Sequence, residues 1–265
     1  MPSIFVTPYA LPLTPNVPTH AGFFITATQV RNESLKIGGS LFHHLRSSLR
    51  CQVGEEIWLG DGERRRYLIR IVGLNRRELS GRVLEVQEGP SPRWPTITIG
   101  QALLKGDRMD WVIQKATELG AASLVPLISC HVITRPRAER LVPQQKRWQR
   151  IALEAAQQAE RWDVPAVHAS CETTEFFRRQ PSPTVSLILG ARGQGESLAS
   201  AALPCAPGSS VSVAVGPEGG WTKEELGCAL ECGFTPVTMG KRILRAETAA
   251  LAALSIVQSR LGELG

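Results

Sequence analysis

The sequence predicts an α/β protein in two parts: a small β-barrel, then a larger domain built on a parallel sheet with helices on both faces. Three observations carry that expectation. From about residue 21 to 88 the chain reads as short strands joined by tight turns, the pattern of a small barrel. At Gly89-Pro90-Ser91-Pro92-Arg93-Trp94-Pro95, three prolines interrupt both pairing and helix and mark a linker. Beyond it, apolar runs of strand length alternate with segments of helical period.

In the first part, Ile25, Leu35 and Ile37 mark early strands, and later ones run through 56–59, 67–72 and 81–86. Asp61-Gly62 is a hairpin-turn signal. Arginines 64, 65, 66, 70, 76, 77 and 82 alternate with apolar residues, so they line a basic outer face. Such a face fits a phosphate backbone, and equally an ordinary solvated surface.

The second part opens with a strand at 97–104 and a helix at 107–119. Met109, Val112, Ile113, Ala116 and Leu119 share one face of that helix, and Gly120 ends it. A strand at 123–128 and a long helix over 138–161 follow, then strand-like runs at 164–168, 185–189 and 211–215. Thr222 and Glu225 form a capping box that opens a helix ending near Gly233. A strand at 234–239 and a helix at 246–261 close the pattern, and there is no internal repeat.

Composition bounds the function. Of 265 residues 43% are hydrophobic, enough for a real core, and a net charge of +6 favours an anionic partner such as nucleic acid. The six cysteines show no C-x-x-C and no histidine at ligand spacing, so the expectation is no metal, and buried reduced thiols in a cytoplasmic protein. No apolar run reaches membrane-spanning length, so no membrane partner is expected. Residues 1–20, with five prolines, read as a loosely ordered extension and not as a signal peptide.

The chemistry concentrates in two glycine-bearing turns, Gly216-Pro217-Glu218-Gly219-Gly220 and Met239-Gly240-Lys241-Arg242-Ile243-Leu244-Arg245-Ala246-Glu247-Thr248. Each follows a strand-type run, where α/β sheets place small ligands. Neither standard phosphate cradle is present, so the implied pocket reads its ligand through main-chain groups and apolar walls.

Taken together, KGDRMDWVIQKATELG (105–120), GPEGGWTKEEL (216–226) and MGKRILRAETAALAAL (239–254) resemble the RsmE family of 16S ribosomal RNA uridine-N3 methyltransferases, in the SPOUT superfamily. HHLRSSLR (43–50) is similar to part of that family's RNA-binding domain. The resemblance runs from about residue 21 onward. Departures are the absence of an early arginine around His20 to Phe24, Gln157 in place of an acid, and Met239 in place of leucine.

The resemblance implies a PUA-like barrel over 21–90 and a SPOUT methyltransferase domain over 91–265, with a deep trefoil knot, an exception to the usual rule. It implies S-adenosyl-L-methionine as cofactor, a homodimer formed through the SPOUT domain, and the small ribosomal subunit as partner. The target would be N3 of one uridine, expected at position 1498 of 16S rRNA. A non-catalytic assembly factor and a ribose 2′-O-methyltransferase stay open as alternatives.

By the same likeness, Leu189, Gly190, Val215, Gly216, Glu218, Gly219, Met239, Gly240, Ile243, Leu244 and Arg245 would hold the cofactor. Uracil N3 must lose a proton, so a cation beside its carbonyl oxygens or a carboxylate base is needed. Arg245 suits the first role; Glu247 suits the second, although an acid in a helix's first turn already has a reason to be there. Arg46, Arg50, Arg64, Arg65, Arg66, Lys105, Arg108, Lys115, Arg161 and Arg242 are the RNA-binding candidates. A helix over 43–50 would put Arg46 and Arg50 on one side. Lys115 equally fits a pair with Glu118. His43, His44, Trp148 and Trp162 read as packing residues.

Overall fold

A computed structural model describes residues 23–47, 49–91, 95–132, 135, 137–180, 184–190, 195–204, 206 and 208–264. The expected extension at 1–20, residues 92–94 of the linker and Cys205 lie outside the described residues. The chain divides into two compact units, Met1–Gly89 and Pro90–Gly265.

The first unit holds strands β1 (Val30–Arg31) and β2 (Ser34–Gly38), helix α1 (Gly39–Ser47), and strands β3 (Glu56–Gly60), β4 (Arg65–Leu74) and β5 (Glu78–Glu88). Pairing is antiparallel in the order β1-β2-β5-β4-β3. The sheet curls shut where Phe24 bridges Gly60: the N–H of Ile25 donates to the Gly60 carbonyl at 2.7 Å, and the Gly60 N–H to the Phe23 carbonyl at 2.9 Å. Closure needs glycine there, because a Cβ at 60 would lie 2.8 Å from the Phe24 ring. Leu35, Ile37, Ile57, Leu59, Ile69, Ile71 and Leu79 alternate inward along the strands, and α1 plugs the core with Phe42 and Leu45. His43 and His44 pack against Phe42 and Phe23.

Helix α1 corrects the all-strand expectation for this unit. It also separates the candidate pair Arg46 and Arg50: α1 stops at Ser47, and Arg50 sits beyond it at φ +53°. Leu41, Phe42 and Leu45 carry the apolar spacing of this helix, which lies over 39–47 and not over 43–50.

The second unit runs β6 (Thr96–Ala102), α2 (Arg108–Glu118), β7 (Ser123–Ile128), α3 (Ala138–Gln158), β8 (Ala166–Val167), β9 (Cys171–Glu172), α4 (Thr173–Arg178), β10 (Thr184–Leu189), β11 (Glu196–Ser197), β12 (Ser210–Val215), α5 (Lys223–Glu231), β13 (Thr235–Thr238) and α6 (Ala246–Leu261). Its sheet is parallel throughout, in the order β11-β13-β10-β12-β6-β7-β8, with β9 also pairing with β7. Side chains of β10 and β12 alternate between two cores. Leu187, Val213 and Val215 meet α2, α3 and α6, whereas Ile188 and Ala214 meet α4 and α5. Layers on both faces follow from that alternation. Trp148 is buried in the first core, its Nε1 donating to Asp110 at 3.0 Å. Helix α3 ends at Gln158, short of the expected Arg161, because the backbone turns left-handed at Glu160 (φ +50°).

The cysteines are less buried than expected: Cys51 is buried, Cys171, Cys228 and Cys232 are half-buried, and Cys130 is exposed. No helix of the described residues is long and apolar enough to cross a membrane.

Candidate active site

The neighbouring strands β13, β10 and β12 end on one side of the sheet, and the loops that leave them enclose a cavity of about 750 Å³. That volume falls in the range of small-molecule sites. Every residue that the resemblance assigned to the cofactor lies in its lining. Leu189, Val215 and Met239 give apolar wall, and Ile243, 72% exposed, stands at the rim. Among the described residues, the main-chain N–H groups of Gly216, Glu218, Gly219 and of Gly240 through Leu244 donate to no protein acceptor. Polar main-chain groups expect partners, so these two turns offer donors to a ligand. An adenosine-type group with an apolar ring and several acceptors fits such a wall.

The turns are held open by contacts the sequence does not announce. The indole Nε1 of Trp221 donates to the Leu189 carbonyl at 3.0 Å, tying the turn after β12 to the end of β10. Trp221 also fills the space beside Gly216, where a Cβ would sit 3.0 Å from the ring. His131 packs on the other side: its Nδ1 lies 3.0 Å from the Gly220 carbonyl, and a Cβ at Gly219 would come within 2.9 Å of it. The Gly190 N–H reaches the Val237 carbonyl at 3.0 Å.

Behind the turn stands Glu225, 3% exposed. Its carboxylate accepts from the N–H of Thr222 (2.9 Å) and of Cys130 (3.0 Å) and from the Thr173 hydroxyl (3.0 Å). The predicted capping box is present, but the same side chain also reaches the loop after β7 and the start of α4. Burial pushes its pKa up; the backbone donors of Thr222 and Cys130, with side-chain donors behind them, outweigh burial and hold it below the usual carboxylate value.

Arg245 is the N-cap residue of α6, exposed, lining the cavity, with no side-chain capping bond. Glu247, two residues on in the first turn of α6, is buried and does not line the cavity. It faces Arg108, whose Nη1 lies 3.7 Å from its Oε2 and 2.6 Å from the Glu218 Oε1.

The remaining RNA candidates separate by environment. Arg161 is a correction: its side chain is 13% exposed and its donors are occupied inside the fold. It donates to the carbonyls of Thr117 (2.7 Å) and Ala121 (2.9 Å) and to Asp163 (2.9 Å). The guanidinium thus sits at the C-terminal end of α2, where a cation is favoured, sharing the Thr117 carbonyl with the Gly120 N–H and supplying a donor to the Ala121 carbonyl just beyond the helix. Lys115 pairs with Glu118 at 2.7 Å. Arg46 donates to the Asn75 carbonyl at 3.1 Å and stacks over Phe42, while Arg65 pairs with Glu88 at 3.3 Å. Arg50, Lys105 and Arg242 are exposed, the last on the cavity's own loop; Arg64 and Arg66 are half-buried on the barrel.

A parallel sheet with a main-chain-lined cavity at its strand ends fits a small-molecule-binding α/β domain, and two family models give the class as RNA methyltransferase. One for an RNA methyltransferase domain matches residues 92–258, and one for an RNA methyltransferase PUA domain matches 37–84. The Ribosomal RNA small subunit methyltransferase E of Synechocystis sp. is 33% identical over 98% of this chain and 80% of its own length. That of Bacillus subtilis is 30% identical over 89% of this chain and 94% of its own. A crystal structure of the Neisseria gonorrhoeae protein of that name, bound to S-adenosyl methionine, superposes with a TM-score of 0.78 at 32% identity, covering 90% of this chain and 96% of that one. The chain belongs to the ribosomal RNA small subunit methyltransferase E family.

Proposed function

We propose that this protein transfers a methyl group from S-adenosylmethionine to N3 of a single uridine in 16S rRNA, expected at position 1498. One observation carries the reading: three strand-end loops enclose a cavity whose turns present undonated main-chain N–H groups and whose rim carries Arg245. The bound cofactor supplies an electrophilic methyl on a sulfonium; the protein supplies orientation and a shielded site.

Leu189, Val215 and Met239 would flank the adenine, and the 216–220 and 240–244 main chain would meet its polar edge and ribose. Arg245 would place its guanidinium against the uracil carbonyl oxygens, which gain charge as the N3 proton passes to solvent; the new N–C bond would form as the methyl–sulfur bond breaks and leaves the neutral thioether. Glu247, held away from the cavity lining and facing Arg108, supports that region and is not assigned the proton. The proposal includes a homodimer through the domain over 91–265, the family's knot within it, a barrel over 21–90 that docks rRNA, and a cytoplasmic setting.

The test supplies labelled cofactor and small subunits lacking the modification, and identifies the product nucleoside by mass. 3-Methyluridine is expected. A ribose-methylated product would move the protein to another activity, and cofactor binding without transfer would make it an assembly factor.

A further inference from the structure

Arg108 was read from sequence as a phosphate contact, yet its guanidinium is turned inward. Nη1 lies 2.6 Å from Glu218 Oε1 and 3.7 Å from Glu247 Oε2, and Nε donates to the Lys105 carbonyl at 3.2 Å. The three side chains come from three places: the first turn of α2, the 216–220 turn and the first turn of α6. Glu247 is 8% exposed, and its Oε2 has no hydrogen-bond partner among the described residues. A buried carboxylate oxygen in that condition needs a nearby cation, and Arg108 provides it.

We propose that Arg108 is a positioning residue of the cofactor cavity: by bridging Glu218 in the cavity wall to the buried Glu247, it locks the glycine-rich 216–220 turn to α2 and α6. This rests on the function proposed above. Without the guanidinium, two carboxylates would face one another and Glu247 would be left without its cation. The turn contains Gly219 and Gly220, the latter at φ +74°, so it has little stiffness of its own to resist the displacement. A cavity that recognises its ligand through main-chain N–H groups on that turn would lose affinity when they shift.

The experiment measures two affinities on the full chain, S-adenosylmethionine by calorimetry and 16S rRNA fragments by a salt titration, for wild type, Arg108→Ala and Arg108→Lys. If the bridge positions the turn, Arg108→Ala weakens cofactor binding by about tenfold, the scale of one lost charge-assisted contact. Arg108→Lys recovers part of it, and the slope of log K against log salt for RNA stays at the wild-type value. The inference is overturned if Arg108→Ala binds cofactor like wild type, or if the RNA salt slope drops by about one with cofactor affinity unchanged, the signature of a lost phosphate contact. Should Arg108→Ala fail to fold, Glu247→Gln, outside the cavity lining, removes the charge that holds the guanidinium from the α6 side, and cofactor affinity is again expected to fall, whereas wild-type affinity in that variant overturns the inference. Wild-type protein that binds no cofactor would overturn the functional reading itself.

Discussion

Replacing Glu225 by alanine removes one buried side chain and strands three donors. Thr173 is 3% exposed, whereas Cys130 is exposed and Thr222 half-buried, and the bonds from their N–H groups are only partly buried. A buried unsatisfied donor costs about 1–3 kcal/mol, and a lost N-terminal cap about 1 kcal/mol. With full cost at Thr173 and partial cost at the other two, the loss comes to about 3–4 kcal/mol for the second unit. At roughly 2–4 °C per kcal/mol for a domain of this size, the melting temperature falls by about 10 °C. The sign of the pH effect follows from the lowered pKa. Ionised Glu225 stabilises the fold fully above the usual carboxylate value of 4.5, and that contribution is lost as pH falls through the lower folded value. Calorimetric melts of wild type and Glu225→Gln between neutral and acid pH therefore converge toward the acid end. Melting of Glu225→Ala within two degrees or so of wild type, or parallel pH curves for the two proteins, would refute the account of this carboxylate as the anchor of the turn.

Other expectations can be checked alongside. Arg245→Ala, lacking any capping bond to lose, should melt like wild type and lose about two orders of magnitude in transfer rate, measured with labelled cofactor; unchanged rates remove Arg245 from the chemistry. Arg161→Ala should cost about 1–3 kcal/mol in a denaturant titration, because the Ala121 carbonyl loses its donor while the Thr117 carbonyl keeps only the Gly120 N–H, and should leave RNA affinity as it was. Gly219→Ala drives a methyl to within 2.9 Å of His131, so the turn must shift; calorimetry should show cofactor binding weakened by about tenfold with the melting temperature little changed.

Most of the parallel domain was legible because its longer strands are rich in Val, Ile and Leu between small or hydroxyl residues, and its long helices repeat over several turns. Helix α4 escaped, since Thr173–Arg178 is too short to show a period, and its Phe176 is placed by Gly100, where a Cβ would come 2.5 Å from the ring. The two-residue strands β9 and β11 are pairings, visible only once the partner strand is in place. In the site, glycine turns located the cavity wall. What holds that wall was not legible, because His131 and Gly220 are 89 residues apart and Cys130 and Glu225 are 95 apart. No local pattern encodes those meetings; they come from the parallel order that sets the end of β7 and the start of α5 near one another.

The same distinction governs the positive charge. A count of arginines treats Arg161 and Arg242 alike, yet the first closes a helix end inside the fold and the second stands in solvent. Arg108 and Lys115 are likewise matched by carboxylates. An ion pair leaves little field to attract a phosphate, so the cations that act outward are those without an internal partner. Lys241, Arg242 and Arg245 meet that condition: all are exposed, and among the described residues none is ion-paired. They flank Ile243 on the loop that also walls the cavity. A polyanion drawn to that loop would arrive with its bases beside an exposed apolar side chain and within reach of the Arg245 guanidinium, so recognition of the backbone and presentation of the base would be one event and not two.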